Sequence, residues 1–215
     1  YETLKEYQDQ DGYLGAVVGR FANRIAGAQF PLYEEIVHIT PNQNGNCLHS
    51  GLHGFNHTMF DVALTPGETD SVTMTATSPA GTDGFPGNFD LTIQYSLAKS
   101  GLVIRYGATT DAPTVCNMTN HSYFNLNGHA SGSALGHRVT VDADFYLEAD
   151  AASIPTGRKH TWASSTADVG QGWVILELGT SDGIVGYGEA TTMPEWGGDF
   201  SRHFGESFET TEVVV

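Results

Sequence analysis

The chain of 215 residues is 40% hydrophobic and 16% charged, and its 25 acidic residues outnumber the 9 basic ones, for a formal charge of −16. We expect a chain of this length to form a single domain over residues 1–215 with a sizeable core. The hydrophobic content excludes disorder, and no stretch approaches the ~20 apolar residues of a membrane span. The acidity disfavours phosphate backbones as partners. We therefore expect a globular protein that binds neither nucleic acid nor a membrane.

Short segments of alternating polar and apolar residues predict β-strands along much of the chain. In chain order these segments are residues 71–77, 89–97, 102–106, 139–141, 173–176 and 212–215. In the segment 89–97, alternation places on one face the residues Phe89, Leu91, Ile93, Tyr95 and Leu97. Glycine- and proline-rich turns separate the segments, and no window of a dozen residues keeps the apolar spacing of a helix. The pattern indicates an antiparallel all-β sandwich or barrel.

The first polar cluster lies in the small-residue segment 19–27, where Asn23 and Arg24 project adjacent polar groups. A guanidinium presents a planar set of donors that suits vicinal hydroxyl groups or a carboxylate. The segment is therefore a candidate binding site. The alternative is a surface turn with an ordinary salt bridge.

The second cluster contains His49, His53 and His57. The spacing would align the three rings on a helix, but Gly51 and Gly54 disfavour one, and no nearby cysteine or carboxylate completes a metal shell. We expect no metal site and favour one histidine acting as a neutral hydrogen-bonding group. The chain has two cysteines, Cys47 and Cys116, which lie far apart in sequence. Two cysteines are too few for a disulfide framework or a zinc knuckle, but they could form one disulfide bridge.

The third cluster is the segment 117–128, in which polar and aromatic residues alternate. If this segment is extended, His121 lies on the same face as Tyr123 and Asn125. A histidine titrates near neutrality, so His121 is a candidate proton donor or acceptor. The alternative is a structural histidine satisfied by its neighbours.

These clusters resemble the aldose 1-epimerase (mutarotase) family in five segments that occur in the family's order. The segments are Gly-Arg-Phe-Ala-Asn-Arg-Ile at 19–25, Asn-Cys-Leu-His-Ser-Gly at 46–51, Asp-Gly-Phe-Pro-Gly at 83–87, Thr-Asn-His-Ser-Tyr-Phe-Asn-Leu at 119–126 and Ile-Pro-Thr-Gly at 154–157. In the second segment the family has Gly-Gly where this chain has Ser-Gly. The resemblance implies a large antiparallel β-sandwich of the galactose mutarotase type, with an abbreviated C-terminal third.

The same resemblance implies an isomerase that interconverts the α and β anomers of free hexoses such as galactose and glucose, without metal or organic cofactor. It implies that His121 is the general acid for the ring oxygen. His49 and Arg24 would hydrogen-bond the sugar, with Asn23 beside them. The implied partner is a small-molecule sugar, and the implied location is the cytoplasm, with secretion left open.

The family also requires a carboxylate base, a glutamate in a Leu-Glu-Thr-Gln segment near the C-terminus, and here the chain departs from the pattern. The nearest counterpart is Glu177, which lacks the Thr-Gln that should follow it. The family's Gly-x-Asp-His segment has no match between Arg158 and Gly170. Glu177 lies in an apolar run, where burial would raise a carboxyl pKa toward that of a base, but it could equally lie on a strand's outward face. Glu195 and Glu206 are poorer candidates.

Two alternatives to catalysis on free hexoses remain. One is a non-catalytic carbohydrate-binding β-sandwich that keeps Asn23, Arg24 and His49 but has no competent base. The other is an epimerase acting on a phosphorylated hexose, against which the charge of −16 and the absence of a Lys/Arg cluster near the motifs both count.

Overall fold

A computed structural model describes residues 1–9, 12–64, 70–99, 101–123, 125, 127–128, 130–132, 145–161, 172–179, 185–192 and 211–213 of the chain. At Tyr146 and from residue 161 onward, only the backbone is described. The chain divides into two compact units, each described by itself. The first unit is residues 1–15 with 121–206, and the second is residues 16–120 with 207–215. That residues 1–215 form a single domain stays a prediction.

Strands dominate the described part of the chain. They are β1 Val17–Val18, β2 Arg24–Ile25, β3 Gln29–Leu32, β4 Glu35–His38, β5 Cys47–Leu48, β6 Asp61–Leu64, β7 Ser71–Ser78, β8 Phe89–Ala98, β9 Gly101–Thr110, β10 Thr119–Asn120, β11 Phe145–Ala149, β12 Pro155–Thr161, β13 Gly172–Gly179, β14 Val185–Thr192 and β15 Thr211–Val213. The helical elements are α1 Leu4–Asp9 and three single 3-10 turns, Ala26–Ala28, Phe55–His57 and Thr82–Gly84.

The helix α1 is the one regular helix in the described residues, and the strand pattern did not predict it. It begins with a capping box in which the Glu6 carboxylate accepts the N–H groups of Glu2 and Thr3 at 2.8 and 3.1 Å. These bonds lower the pKa of Glu6 and satisfy donors that a helix start leaves without partners. The Thr-x-x-Glu spacing was the available sequence signal. Among the described residues, no helix has the length and apolar character needed to cross a membrane.

A five-stranded sheet in the order β15-β9-β8-β7-β6 is the largest sheet among the described residues and belongs to the second unit. The predicted segments 71–77, 89–97 and 102–106 lie within β7, β8 and β9, which pair antiparallel as expected. The alternation in β8 is confirmed at Phe89, Leu91 and Ile93, which are buried. It ends at Leu97, which is exposed because the strand runs past the edge of the core. One departure is β15, which pairs with β9 in parallel.

The other three predicted segments lie closer to the C-terminus. The segment 173–176 lies within β13, which pairs antiparallel with β14, and 212–215 overlaps β15. The segment 139–141 lies outside the described residues. The strand content and the predominance of antiparallel pairing confirm the predicted antiparallel all-β class.

A small core beneath β2 and β5 positions the candidate site of the second unit. Its buried members are Ala28, Ile39, Cys47 and Phe85. The two strands pair antiparallel, with Arg24 opposite Leu48 and Ile25 opposite Cys47. Ile25 packs against this core, and the period-2 geometry of a strand then turns its neighbour Arg24 to the other face. Both cysteines are free thiols, so the bridge left open by the sequence does not form.

Candidate active site

Asn23 and His49 hold each other through two hydrogen bonds at the ends of β2 and β5. The backbone N–H of His49 donates to the carbonyl oxygen of Asn23 at 2.9 Å. In return, the backbone N–H of Asn23 donates to Nδ1 of His49, also at 2.9 Å. Because Nδ1 accepts, it carries no proton, and the neutral imidazole must hold its proton on Nε2. The expected neutral hydrogen-bonding histidine of the second cluster is therefore His49, with Nε2–H as its donor.

The backbone around this pair adopts a run of left-handed conformations. The φ angles are 62° at Asn23, 52° at His49, 71° at Ser50 and 92° at Gly51. A left-handed conformation costs a residue other than glycine roughly 1–3 kcal/mol. Such a conformation persists only where contacts with the surrounding structure stabilise it. The Ser50 hydroxyl stabilises part of this backbone, because its Oγ accepts the N–H of Phe21 at 2.7 Å and donates to the Phe21 carbonyl oxygen at 3.1 Å.

Arg24 lies half-buried next to Asn23, and the side chains of two amide residues hold its guanidinium. Nε donates to Oε1 of Gln43 at 2.6 Å, and Nη1 donates to Oδ1 of Asn23 at 3.0 Å. Both acceptors are neutral amide oxygens, so they orient the guanidinium and add no opposing charge of their own. We refer to Asn23, Arg24 and His49 as the Arg24–His49 cluster, since the structure brings these three predicted site residues together.

Asn42 fixes the loop that carries His49. Its Nδ2 donates to the carbonyl oxygens of Leu48 and Gly51, both at 2.9 Å. Its Oδ1 accepts the N–H of Leu48 at 2.6 Å. One side chain thus satisfies three backbone groups on either side of His49, which rigidifies the turn.

Asp83 anchors the far side of the same loop with a buried carboxylate. Its two oxygens accept the N–H groups of Leu52 at 3.1 Å and His53 at 2.7 Å. Nδ1 of His53 lies 3.4 Å from the same carboxylate, and the His53 side chain is largely exposed. Among the residues that the structure describes, no group of three or more His, Cys, Asp or Glu side chains could hold a metal ion.

An open depression of about 510 Å³ is lined in part by Asp83. Its lining includes His53 and the hydroxyl residues Thr58 and Thr82, and it contains no member of the Arg24–His49 cluster. The depression is therefore separate from that cluster.

Arg20 is a structural arginine that the sequence analysis did not single out. Its guanidinium is buried and donates to Oγ and the carbonyl oxygen of Ser78 and to the carbonyl oxygens of Pro79 and Pro86, at 2.7 to 3.1 Å. It also lies against two phenylalanine rings. Burial lowers the pKa of Arg20, while its hydrogen bonds compensate for the lost water. The two arginines of the motif therefore differ in role.

His121 belongs to the first unit and lies half-buried between two tyrosines. Its ring centroid is 5.6 Å from that of Tyr13 and 5.0 Å from that of Tyr123. Its carbonyl oxygen accepts the N–H of Gly15 at 2.9 Å. The Tyr123 hydroxyl donates to the carbonyl oxygen of Gly12 at 2.9 Å. Burial raises the pKa of Tyr123 to about 12, so this phenol stays neutral beside the imidazole.

The expected arrangement of the third cluster is confirmed in part. The strand β10 ends at Asn120, so His121, Tyr123 and Asn125 lie outside it. The rings of His121 and Tyr123 are nevertheless neighbours, as the alternation predicted. Asn125 instead donates to the carbonyl oxygen of Gly132 at 3.1 Å.

Glu177, the predicted base, lies on β13, where its backbone is opposite Tyr187 of β14. Its side chain lies outside the described residues, and so do Glu195 and Glu206. The roles of Glu177 and His121 stay predictions.

Gln43 is a site residue that the sequence analysis missed, although a signal was present. The dipeptide Asn44-Gly45 that follows it is the strongest short-range signal for a tight hairpin. In the structure its φ angles are 50° and 80°, and Gln43 and Asn46 form the bridge that closes it. The hairpin presents Gln43 to Arg24.

Comparison with known proteins assigns the family. The family profile described as aldose 1-epimerase matches residues 1–185. The chain belongs to the aldose 1-epimerase family. Among curated members, the galactose mutarotase of Homo sapiens is 38% identical over 157 residues, or 73% of this chain and 45% of that protein. The aldose 1-epimerase of Escherichia coli is 41% identical over 151 residues, or 69% of this chain and 42% of that protein. The chain thus spans less than half the length of these family members.

Solved structures of the aldose 1-epimerase family agree with this assignment. The aldose epimerase homologue of C. elegans matches with a TM-score of 0.69 and 28% identity, covering 75% of this chain and 49% of that one. The galactose 1-epimerase of Lactobacillus acidophilus matches with a TM-score of 0.69 and 27% identity, covering 78% of this chain and 52% of that one. These similarities confirm the predicted galactose mutarotase-like fold.

Proposed function

We propose that the protein is an aldose 1-epimerase that interconverts the α and β anomers of free hexoses such as galactose and glucose. The observation that carries this proposal is the reciprocal pair of hydrogen bonds between Asn23 and His49, beside the guanidinium of Arg24. An imidazole whose Nε2 carries the proton, next to a planar cation, suits the hydroxyl and ring oxygens of a sugar.

The family and the names of its members support this substrate class. The relatives include the galactose mutarotase of Homo sapiens and the galactose 1-epimerase of Lactobacillus acidophilus. The charge of −16 agrees with a neutral sugar rather than a phosphorylated one. The proposal includes a small-molecule sugar as the partner, no metal or organic cofactor, and a cytoplasmic location, with secretion left open.

In the proposed reaction, Glu177 removes the proton from the anomeric hydroxyl while His121 protonates the ring oxygen. The C1–O5 bond breaks, the electron pair of the deprotonated oxygen forms the aldehyde carbonyl, and O5 becomes a hydroxyl. Rotation about C1–C2 exposes the other carbonyl face, and closure reverses both proton transfers. Acid and base catalysis at ~10²–10⁴-fold each supply the acceleration.

The Arg24–His49 cluster binds the sugar in this scheme. His49 donates from Nε2, and Arg24 supplies a cation whose stabilising effect grows as charge develops on the reacting oxygens. Asn23 holds both residues, since its N–H fixes the tautomer of His49 and its side-chain oxygen holds Arg24. Fixed donors of this kind lose little entropy when the sugar binds.

Polarimetry on freshly dissolved α-D-galactose tests the proposal with the full chain. We expect the wild type to speed the approach to equilibrium rotation, His121→Asn to abolish that effect, and His49→Asn to weaken it. His38→Asn is the matched control, because His38 is an exposed histidine on β4. Full activity of His121→Asn would eliminate its role as the acid.

The same samples separate the alternatives. Galactose that binds to the wild type without faster anomer exchange would replace the proposal with the non-catalytic sugar-binding protein. Exchange that is accelerated only for a phosphorylated hexose would replace it with the hexose-phosphate enzyme.

A further inference from the structure

The contact between Arg24 and Gln43 is the shortest of the side-chain hydrogen bonds described in the Arg24–His49 cluster. Nε–H of Arg24 donates to Oε1 of Gln43 at 2.6 Å, a short contact in which the donor is charged and the acceptor is a neutral amide. The second bond, from Nη1 to Oδ1 of Asn23 at 3.0 Å, meets the guanidinium at another nitrogen. Two acceptors at different nitrogens define both the position and the rotation of a planar group.

The backbone of Gln43 is itself held in place. Asn44 and Gly45 have φ angles of 50° and 80°, the combination of a two-residue type I′ turn. Across this turn, the N–H of Gln43 donates to the carbonyl oxygen of Asn46 at 3.1 Å, and the N–H of Asn46 donates back to that of Gln43 at 2.8 Å. The preceding N–H, of Asn42, donates to the same Asn46 oxygen at 3.0 Å. Gln43 is thus mounted on a rigid hairpin.

We propose that Gln43 is a positioning residue for the reaction, which acts by orienting the guanidinium of Arg24 through a neutral acceptor. This inference rests on the proposed function, because it gives Gln43 a role only through the sugar contact assigned to Arg24. Gln43 does not touch the sugar in this scheme. It sets the plane in which Arg24 presents its N–H groups.

The neutrality of the acceptor matters as much as its position. A carboxylate at the same place would hold Arg24 equally well, but it would cancel the positive charge that stabilises the reacting oxygens. The amide oxygens of Gln43 and Asn23 hold the group and add no opposing charge of their own. The arrangement thus separates orientation from charge, and two substitutions at one position can test each property.

Gln43→Met removes the acceptor at similar size, and Gln43→Glu keeps the acceptor and adds a charge. Gln29→Met is the matched control, because Gln29 is an exposed glutamine on β3. The NMR signal of each arginine Nε–H group reports the orientation of its guanidinium independently of enzyme activity. The chain has six arginines and therefore six such signals. We expect Gln43→Met to shift the Arg24 signal and speed its exchange with water. Gln43→Glu should preserve a slowly exchanging signal. The Arg20 Nε–H, which donates to Ser78, is the internal control.

The kinetic test is the anomer exchange of galactose, with kcat and KM measured separately. We expect Gln43→Met to lower kcat/KM by ~10-fold or more, the equivalent of one hydrogen bond to a charged group. Gln43→Glu should lower kcat with little change in KM, because it removes charge stabilisation that acts in the transition state. Wild-type kinetics for Gln43→Met would overturn the positioning role, and wild-type kcat for Gln43→Glu would overturn the role of neutrality.

An inactive wild type would refute the proposed function, and a galactose titration would then decide the inference. A shift of the Arg24 signal by galactose in the wild type, lost in Gln43→Met and kept in Gln29→Met, would support positioning for sugar binding. An equal shift in all three proteins, or no shift in any, would overturn it.

Discussion

Ser50 and Phe21 are joined through a single hydroxyl group, which accepts the backbone N–H of Phe21 at 2.7 Å and donates to its carbonyl oxygen at 3.1 Å. Ser50 is buried and has a φ of 71°. In the similar segment of the aldose 1-epimerase family, glycine occupies this position. The serine therefore keeps a conformation that suits glycine and stabilises it with two hydrogen bonds.

Replacement of Ser50 separates backbone strain from hydrogen bonding. Ser50→Ala keeps the strain and loses both bonds, so we expect it to lower the free energy of unfolding by about 1–3 kcal/mol. Ser50→Gly also loses the bonds but relieves about 1 kcal/mol of left-handed strain, and it should be less destabilising. Urea denaturation of the two variants tests the order. A glycine variant that is less stable than the alanine variant would contradict it.

Two glycines near the site should respond differently to alanine. Gly45 has a φ of 80° and no atom within 4 Å of the point that a Cβ would occupy, whereas a Cβ on Gly51 would lie 2.7 Å from Cγ of the buried Asp83. Gly45→Ala should therefore cost about 1 kcal/mol of strain alone. Gly51→Ala adds overpacking of about 1–3 kcal/mol. Thermal unfolding compares them, and equal losses of stability would refute the contact with Asp83.

Arg20 should contribute to stability far more than an exposed arginine does. In Arg20→Met, the carbonyl oxygens of Ser78, Pro79 and Pro86 lose the guanidinium that donates hydrogen bonds to them in a buried site. We expect a loss of about 3 kcal/mol or more. Arg105→Met, at an exposed position on β9, should change stability by about 0.5 kcal/mol or less. Chemical denaturation of both variants provides the comparison. Similar losses would show that the buried hydrogen bonds of Arg20 add no net stability.

Cys47 should be unreactive in the folded protein. Burial, with the charge of Asp83, raises the pKa of its thiol from 9.0 to about 11. At pH 8 only about one such thiol in a thousand is the reactive thiolate. Because the chain has two cysteines, Cys116→Ser leaves Cys47 as the single thiol. Iodoacetamide should modify it slowly in buffer and rapidly in denaturant. Fast modification under native conditions would contradict its burial.

The same raised pKa predicts a loss of stability at alkaline pH. The folded thiol of Cys47 keeps its proton up to about pH 11, while the unfolded chain releases it near 9.0. The unfolded state therefore binds fewer protons between these values, and the free energy of unfolding falls as the pH rises through them. Cys47→Ala should make that fall shallower. An unchanged slope in denaturation measured from pH 8 to 11 would argue against the contribution of Cys47.

How far the sequence predicts the fold depends on how local each signal is. The alternation in residues 89–97 predicted the buried face of β8, because a strand places successive side chains on opposite faces wherever it lies. The parallel pairing of β15 with β9 was not predictable in this way, since no local pattern specifies which strand a distant segment will join. The capping box of α1 and the Asn44-Gly45 turn were also local signals, but the alternation of polar and apolar residues does not reveal them.

Local sequence was enough to predict the all-β class and to select Asn23, Arg24, His49 and His121, because side-chain alternation and motif spacing are properties of a continuous stretch of chain. The folded chain was needed to establish which nitrogen of His49 holds the proton and which residues hydrogen-bond the guanidinium of Arg24. The first property depends on Asn23 and His49, which meet across 26 positions of sequence, and the second on Arg24 and Gln43, which meet across 19. Hydrogen bonds form between atoms that the fold brings within about 3 Å, and one-dimensional spacing does not encode that distance.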